Sequence, residues 1–244
     1  MRHTARSLTF AATVAVSVLA LASCAGSTAS DTATTTVESA APAETAESSG
    51  ELQEFTADVW ADNWFEMYVN GELVGEDSVP ITTERSFNKE TFTFTASYPL
   101  TIAIEAKDFK ETDSGIEYIG LANQQMGDGG LIAQVTDASG NVITATDGSW
   151  ESLVIQRAPL DTSCENAADP DTACTFEVTD VADDWFATDF DSSSWTSAGV
   201  FSAAEVSPKD GYNEVSWDSS AELIWGTSLT QDNTILFRQT VDAP

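Results

Sequence analysis

The chain has 244 residues and a formal net charge of −31, which arises from 40 acidic against 9 basic side chains. So negative a field repels phosphate backbones and disfavours nucleic acid as a partner. The single histidine is His3, so the rest of the chain can form neither a Ser-His-Asp triad nor a His-ligated zinc site. The glycine motifs that cradle nucleotide phosphates are missing as well.

The first elements belong to an export signal. A short basic stretch precedes an apolar run over residues 8–21, which is too short to cross a hydrocarbon layer of about 30 Å. Leu21-Ala22-Ser23-Cys24 follows and resembles the lipobox of bacterial lipoproteins. This resemblance implies a signal peptide over residues 1–23 and a diacylglycerol on Cys24, which would anchor the protein at the extracellular face of the cell membrane. An ordinary signal peptide followed by an incidental cysteine is the alternative.

Residues 24–52 have the composition of a flexible linker. They are rich in Ala, Thr and Ser and contain neither an aromatic nor a basic residue. Such a segment cannot bury enough apolar surface to offset its chain entropy. We therefore expect a tether that carries a single domain over residues 53–241.

The alternating pattern of that domain is typical of antiparallel strands. KETFTFTA (89–96) places both Phe side chains on one face, and PLTIAIEA (99–106) alternates in the same way. Asn70-Gly71 supplies the positive φ angles of a type I′ hairpin turn after the strand WFEMYV. Further strands are predicted at 52–60, 116–120, 131–136, 141–146, 150–156, 174–179, 221–225 and 234–239. No sustained helical period occurs, which indicates an all-β antiparallel sandwich, with a jelly roll as the expected arrangement.

Two cysteines remain besides Cys24. Cys164 and Cys174 lie in a polar segment, and an even number of cysteines in an exported chain predicts a disulfide. The bridge should stabilise a loop more than the core.

Five stretches resemble, in order, the galactose-binding-like β-sandwich modules of secreted bacterial surface proteins. They are ADNWFEMYVNG (61–71), LTIAIEAKD with GLIAQV (100–108 and 130–135), TDGSW (146–150), FDSSSW (190–195) and the closing stretch 221–241. The chain is also similar to the N-terminal module of proteins that continue into a YHYH-type domain, and we expect residues 53–241 to correspond to that module alone. The resemblance implies that loops at one end of the sandwich hold sugars.

Tryptophans flanked by Asp or Asn are candidates for sugar stacking. Trp64, Trp185 and Trp217 have such flanks and are expected to be exposed, whereas Trp60 and Trp225 fall within strand patterns and are expected in the core. The sequence thus favours a non-catalytic module that binds a carbohydrate or another surface polymer. A structural or adhesive spacer without a small ligand is the alternative.

Catalysis and cofactors have weaker support. A glycosidase needs two carboxyls with tuned pKa values, whereas the acids of this sequence are concentrated in turns where we expect them to be solvated. No cofactor is predicted, and calcium is the one possible ion. The weak calcium candidates are Asp189 and Asp191, because modules of this type often hold a structural Ca²⁺ and these acids offer oxygens at alternating positions.

Overall fold

The computed structural model describes residues 50–82 and 87–244. The predicted signal peptide, Cys24 and almost all of the 24–52 linker lie outside the described residues. The described residues belong to one compact unit. Its strands are β1 (Gln53–Asp62), β2 (Trp64–Val69), β3 (Glu72–Glu76), β4 (Lys89–Ala96), β5 (Leu100–Lys107), β6 (Ile116–Glu117), β7 (Gln125–Met126), β8 (Gly130–Asp137), β9 (Val142–Ala145), β10 (Glu151–Arg157), β11 (Glu177–Val178), β12 (Thr196–Ser197), β13 (Gly199–Phe201), β14 (Leu223–Trp225) and β15 (Asp232–Val241).

Two antiparallel sheets pack face to face, which confirms the predicted all-β sandwich. Sheet A has the order β13-β14-β8-β1-β4, with β9 also paired to β8. Sheet B has the order β11-β10-β15-β5-β2-β3, with β12 also paired to β10. β6 and β7 form a separate small hairpin. The helices of the described residues are short, as expected: α1 is Pro170–Ala173 and α2 is Ala203–Val206.

The core between the sheets follows the alternation of the sequence. On β1, the residues Phe55, Ala57, Val59 and Ala61 are all fully buried and face sheet B. The largest other side chains in this cluster that are fully buried are Phe65, Met67, Trp150, Trp225 and Phe237. The expectation that Trp225 belongs to the core is therefore confirmed, while Trp60 is equally buried but packs on the outer side of sheet A.

The predicted hairpin is confirmed at Asn70-Gly71. The φ angles of these two residues are 52° and 84°, as a type I′ turn requires. Asn70 also fixes the neighbouring chain, because its side-chain oxygen accepts from the Thr101 backbone N–H at 2.8 Å and its amide donates to the Ser97 carbonyl at 2.8 Å. This turn therefore ties β2 to the start of β5.

The closing strand joins the two halves of the chain. β15 pairs with the whole length of β5, from Thr234 opposite Lys107 to Val241 opposite Leu100. β14 pairs with β8 in the other sheet. Both strands of the closing stretch thus use partners from earlier in the sequence.

One feature of sheet B differs from the expectation of a single buried face. Ala103, on the outer side of β5, is fully buried because residues 181–195 pack over it with Trp185 and Phe186. Arg238 anchors this segment, since its guanidinium donates to the carbonyls of Trp185 at 2.6 Å and Ala187 at 3.0 Å. Residues 181–195 form an irregular segment that covers part of the outer face of sheet B.

The predicted disulfide between Cys164 and Cys174 is present, with the two Cα atoms 5.4 Å apart. It lies in the segment that contains α1, and both cysteines pack against Ile116 of β6. The bridge thus supports the small β6–β7 hairpin.

Candidate functional site

The uncovered part of sheet B's outer face forms an open groove with a volume of about 710 Å³. Glu105 and Lys107 follow Ala103 on the same face of β5, beyond the part that residues 181–195 cover. The groove's size falls in the range of small-ligand sites. The side chains around it include Glu105, Lys107, Phe109, Ile155, Thr179 and Thr234.

Charged side chains line one side of this groove. Lys107 pairs with Glu105 at 3.0 Å, and its ammonium lies 4.5 Å from the ring centre of Trp64 on the adjacent strand. Glu66 stands directly opposite Glu105 across the β2–β5 pair. Burial raises the pKa of Glu66, a hydrogen bond with Tyr68 lowers it, and the Glu105 carboxyl raises it again, so that the net shift is upward.

The three candidate tryptophans lie in different places. Trp64 is half-buried beside the groove, under Lys107. Trp217 is half-buried on the outer side of sheet A, where its indole N–H donates to the Tyr212 carbonyl at 3.0 Å. Trp185 is only 7 % exposed, so the expectation that it is exposed was wrong. The acids that flank Trp185 in the sequence indicate a turn. The indole ring packs beneath this turn, against sheet B.

A second site lies at the end of the sandwich where the chain crosses between the sheets. Asp62 is the last residue of β1, Asp108 follows β5, Glu117 is in β6 and Asp128 precedes β8. We call these four residues the acidic end cluster. The register explains their meeting, because Asp62 pairs with Gly130 in sheet A and Asp108 donates its backbone N–H to the Asn233 carbonyl in sheet B at 2.8 Å.

The surroundings of the cluster are tightly fitted. Asp62, Asp108 and Glu117 are each less than 5 % exposed. A Cβ at Gly127 would lie 1.9 Å from Asp108 Oδ2, so only glycine lets the backbone pass so close to this carboxyl. Beside the cluster is a cavity of about 260 Å³, which Asn63, Glu117, Gln125, Asp128 and Lys209 help to line.

Burial and the repulsion of neighbouring carboxylates raise the pKa values of two carboxyls in this cluster. Burial raises the pKa of Asp108 well above its usual range, and the charges of Glu117, Asp62 and Asp128 raise it further. Burial likewise raises the pKa of Asp62, with a contribution from Asp128. Burial lowers the pKa of Lys209, but the charges of Asp62 and Asp128 outweigh it and the net shift is upward. The expectation that the acids are solvated was therefore wrong for these residues.

The two weak calcium candidates lie elsewhere. Asp189 and Asp191 are exposed, and Asp191 Oδ1 accepts from the Ser193 backbone N–H at 3.0 Å. Hydrogen bonds from Ser193 lower the pKa of Asp191, as in an ordinary turn. In the part of the chain that the structure describes, the group of three acids close enough to share a metal is Asp108, Glu117 and Asp128.

Sequence reasoning missed the acidic end cluster although one signal was present. Asp62, Asp108 and Asp128 each stand at the end or just before the start of a predicted strand, next to residues that favour turns. From the sequence, such positions are expected to be solvated turns. A single sequence does not reveal which strand ends meet, so it does not show that these acids lie together.

Comparison with protein-family models, with curated proteins and with solved structures gave no match. The resemblance to galactose-binding-like and YHYH-type modules therefore stays a prediction from the residues. Within residues 50–82 and 87–244, no helix is both long and apolar enough to cross a membrane.

Proposed function

We propose that this protein is a lipid-anchored surface protein whose sandwich binds a carbohydrate polymer in the groove of sheet B. The observation that carries the proposal is the open groove of about 710 Å³, in which charged and hydroxyl side chains stand next to apolar ones. Trp64 lies at the margin of this groove, and the Lys107 ammonium lies over its ring. An aromatic ring beside hydrogen-bonding groups is a common arrangement for orienting a sugar.

The carboxyl pair beside the groove favours binding over hydrolysis. Glu66 and Glu105 are close enough to share a hydrogen bond. Glycosidases that use two carboxyls keep them about 5–10 Å apart, so that a sugar or a water fits between them. We therefore assign these acids to ligand contact and not to catalysis.

The proposal is tested by retention on polysaccharides. Wild-type protein should be retarded in native gels containing at least one soluble polysaccharide, and Trp64→Ala should weaken that binding by about twofold to tenfold, as expected for one ring contact. Trp217→Ala is the matched control, because this tryptophan is similarly half-buried but lies on the other sheet. The melting temperature of each variant establishes that it is folded.

Three results distinguish the alternatives. Equal loss of binding in both tryptophan variants would remove the groove as the site. Absence of retention on every polysaccharide tested would favour the structural or adhesive spacer. Release of reducing sugar that Glu66→Gln abolishes would establish a glycoside-active enzyme.

A further inference from the structure

We propose that the acidic end cluster binds one divalent cation of the calcium type through Asp108, Glu117 and Asp128. Each of these residues offers a carboxylate oxygen, and the three oxygens lie within 4.8 Å of one another. Calcium binds oxygen at about 2.3–2.6 Å, so two ligands on opposite sides of the ion are about 5 Å apart. The spacing of the three oxygens therefore suits a single ion.

Buried oxygen atoms without a partner provide an independent observation. Both carboxylate oxygens of Asp62, Oδ1 of Asp108 and Oδ1 of Asn233 have no hydrogen bond within the described chain. Asn233 is fully buried, and its amide donates to Asp108 Oδ2 at 3.4 Å, which places its free oxygen beside the cluster. Buried acceptors are rarely left unpaired, because the desolvation of each one is costly. All four of these atoms are oxygens that a hard cation prefers.

A neighbouring carboxyl shows that the fold can satisfy a buried acid with protein groups. Asp232 is also fully buried, but its Oδ1 accepts from Arg157 at 2.6 Å. Its Oδ2 accepts from the backbone N–H groups of Thr227 at 2.7 Å and Ser228 at 2.9 Å. Asp62 and Asp108 have fewer donors among the described residues: Asp108 accepts from the Asn233 amide at 3.4 Å, and Lys209 Nζ lies 3.5 Å from Asp62. Glu117 accepts from the Gln125 amide at 3.2 Å.

The lysine beside the cluster does not take the place of the ion. Lys209 Nζ lies 3.1 Å from Asp128 and 3.5 Å from Asp62, the latter too long for a well-formed hydrogen bond. Neither contact reaches Asp108. One ammonium faces four carboxyls, so a divalent cation would neutralise most of the remaining charge.

The donor set selects the class of ion. The described residues contain no histidine, and their two cysteines are joined in the disulfide, so soft or borderline metals lack their usual ligands. Carboxylate and amide oxygens suit Ca²⁺, which tolerates irregular sets of six to eight ligands, better than Mg²⁺, which needs a nearly ideal octahedron. The adjoining cavity of about 260 Å³ gives the ion an entrance and leaves room for water ligands.

Calorimetric titration of the purified, EDTA-treated protein with CaCl₂ at physiological ionic strength tests the proposal. We expect one site per chain and a melting temperature that rises by several degrees in millimolar Ca²⁺. Asp108→Asn and Asp128→Asn should each weaken binding by about tenfold or more, because the negative charge is lost and an amide nitrogen replaces one of the two carboxylate oxygens. Asp128 is partly exposed, so its variant should fold even if the Asp108 variant does not.

Asp191→Asn is the matched control, since Asp191 is an exposed acid that belongs to the other calcium candidate. It should leave Ca²⁺ binding unchanged. Binding that falls equally in the Asp128 and Asp191 variants would mean diffuse attraction to an acidic surface and would overturn the proposal. So would the absence of any titration heat or thermal shift with Ca²⁺, Mg²⁺ or Mn²⁺. Asp108 also lines the groove. A failure of polysaccharide binding would nevertheless leave this result untouched, because the titration measures ion binding in the absence of polysaccharide.

Discussion

Asp77 is a carboxyl whose hydrogen bonds do not balance the cost of its burial. It is 5 % exposed, and its Oδ1 accepts from the Val79 backbone N–H at 2.8 Å and from Asn88 at 3.3 Å. Its Oδ2 has no partner among the described residues. Burial raises the pKa of Asp77 to about 6, and Glu90 adds to the rise while the two hydrogen bonds oppose it.

The sign of this shift gives a pH prediction. The folded state holds the proton more tightly than the unfolded state, whose pKa is 3.8. The contribution of Asp77 to the free energy of unfolding is therefore full at low pH and is lost as the pH rises from about 4 to about 6. Asp77→Asn keeps the acceptor Oδ1 and removes the charge, so it should stabilise the domain at pH 7 by on the order of 2 kcal/mol.

Urea unfolding of Asp77→Asn and wild type at pH 3.5, 5 and 7 measures this effect. The difference between the two proteins should grow from pH 3.5 to pH 5 and grow again from pH 5 to pH 7, because it levels off only above the folded pKa of about 6. Asp191→Asn serves as control, since the pKa of this exposed acid is lowered and its removal should bring no gain at pH 7. A difference for Asp77→Asn that is constant with pH would contradict the assignment.

At the scale of elements, the disulfide segment and the β6–β7 hairpin depend on each other. Ile116 of β6 is buried against both cysteines. Gln124 directly precedes β7, the other strand of the hairpin. Its side-chain amide donates to the carbonyls of Glu165 at 2.7 Å and Ala167 at 3.0 Å. The sequence predicts that the disulfide stabilises a loop. In the structure, this disulfide-bonded segment also supports the β6–β7 hairpin, which contains Glu117.

We expect the double variant Cys164→Ser/Cys174→Ser to lose about 3 kcal/mol of stability, the value for closing a short loop. The core between the sheets should stay intact, so near-ultraviolet circular dichroism should be retained at low temperature. Ca²⁺ affinity should fall as well, because the hairpin is less restrained. Thermal unfolding and calorimetry in parallel check both effects. Identical melting with and without a reducing agent would show that the bridge does not stabilise the hairpin.

The strand pattern was predictable because each strand obeys a local rule. β4 and β5 alternate as expected, and the turn at Asn70-Gly71 has the backbone that its two residues favour. The short strands β7, β12 and β13 were missed, because two or three residues carry no period. Their pairing depends on the partners β6, β10 and β14.

At the scale of the whole molecule, the predicted signal peptide over residues 1–23 is the basis of the proposal that the protein is held at a cell surface. We predict that Cys24 is the first residue of the mature chain and carries lipid. Mass spectrometry of the mature N-terminus should find the acylated cysteine, and the protein should fractionate with membranes. Cys24→Ala should abolish acylation and membrane association. A mature chain that begins at Ala25 with a free amino group would refute the prediction.

The sequence by itself determined the longer strands, the hairpin turn, the cysteine pairing and the all-β class. Each of these follows from residues that are neighbours or from a count, and such signals survive without knowledge of the fold. Only the tertiary structure decided that residues 181–195 cover part of one sheet face and that Trp185 of this segment is buried against the sheet.

The acidic end cluster was likewise decided by the tertiary structure. Its carboxyls come from four separate segments, which meet because β1 ends where the chain passes from sheet A to sheet B, beside the ends of β5 and β8. Alternation along a strand reports which face a side chain occupies, but not which strand ends share one end of a sandwich. That arrangement depends on the pairing order of the strands. The pairing order therefore also decides whether an acid is solvated or buried.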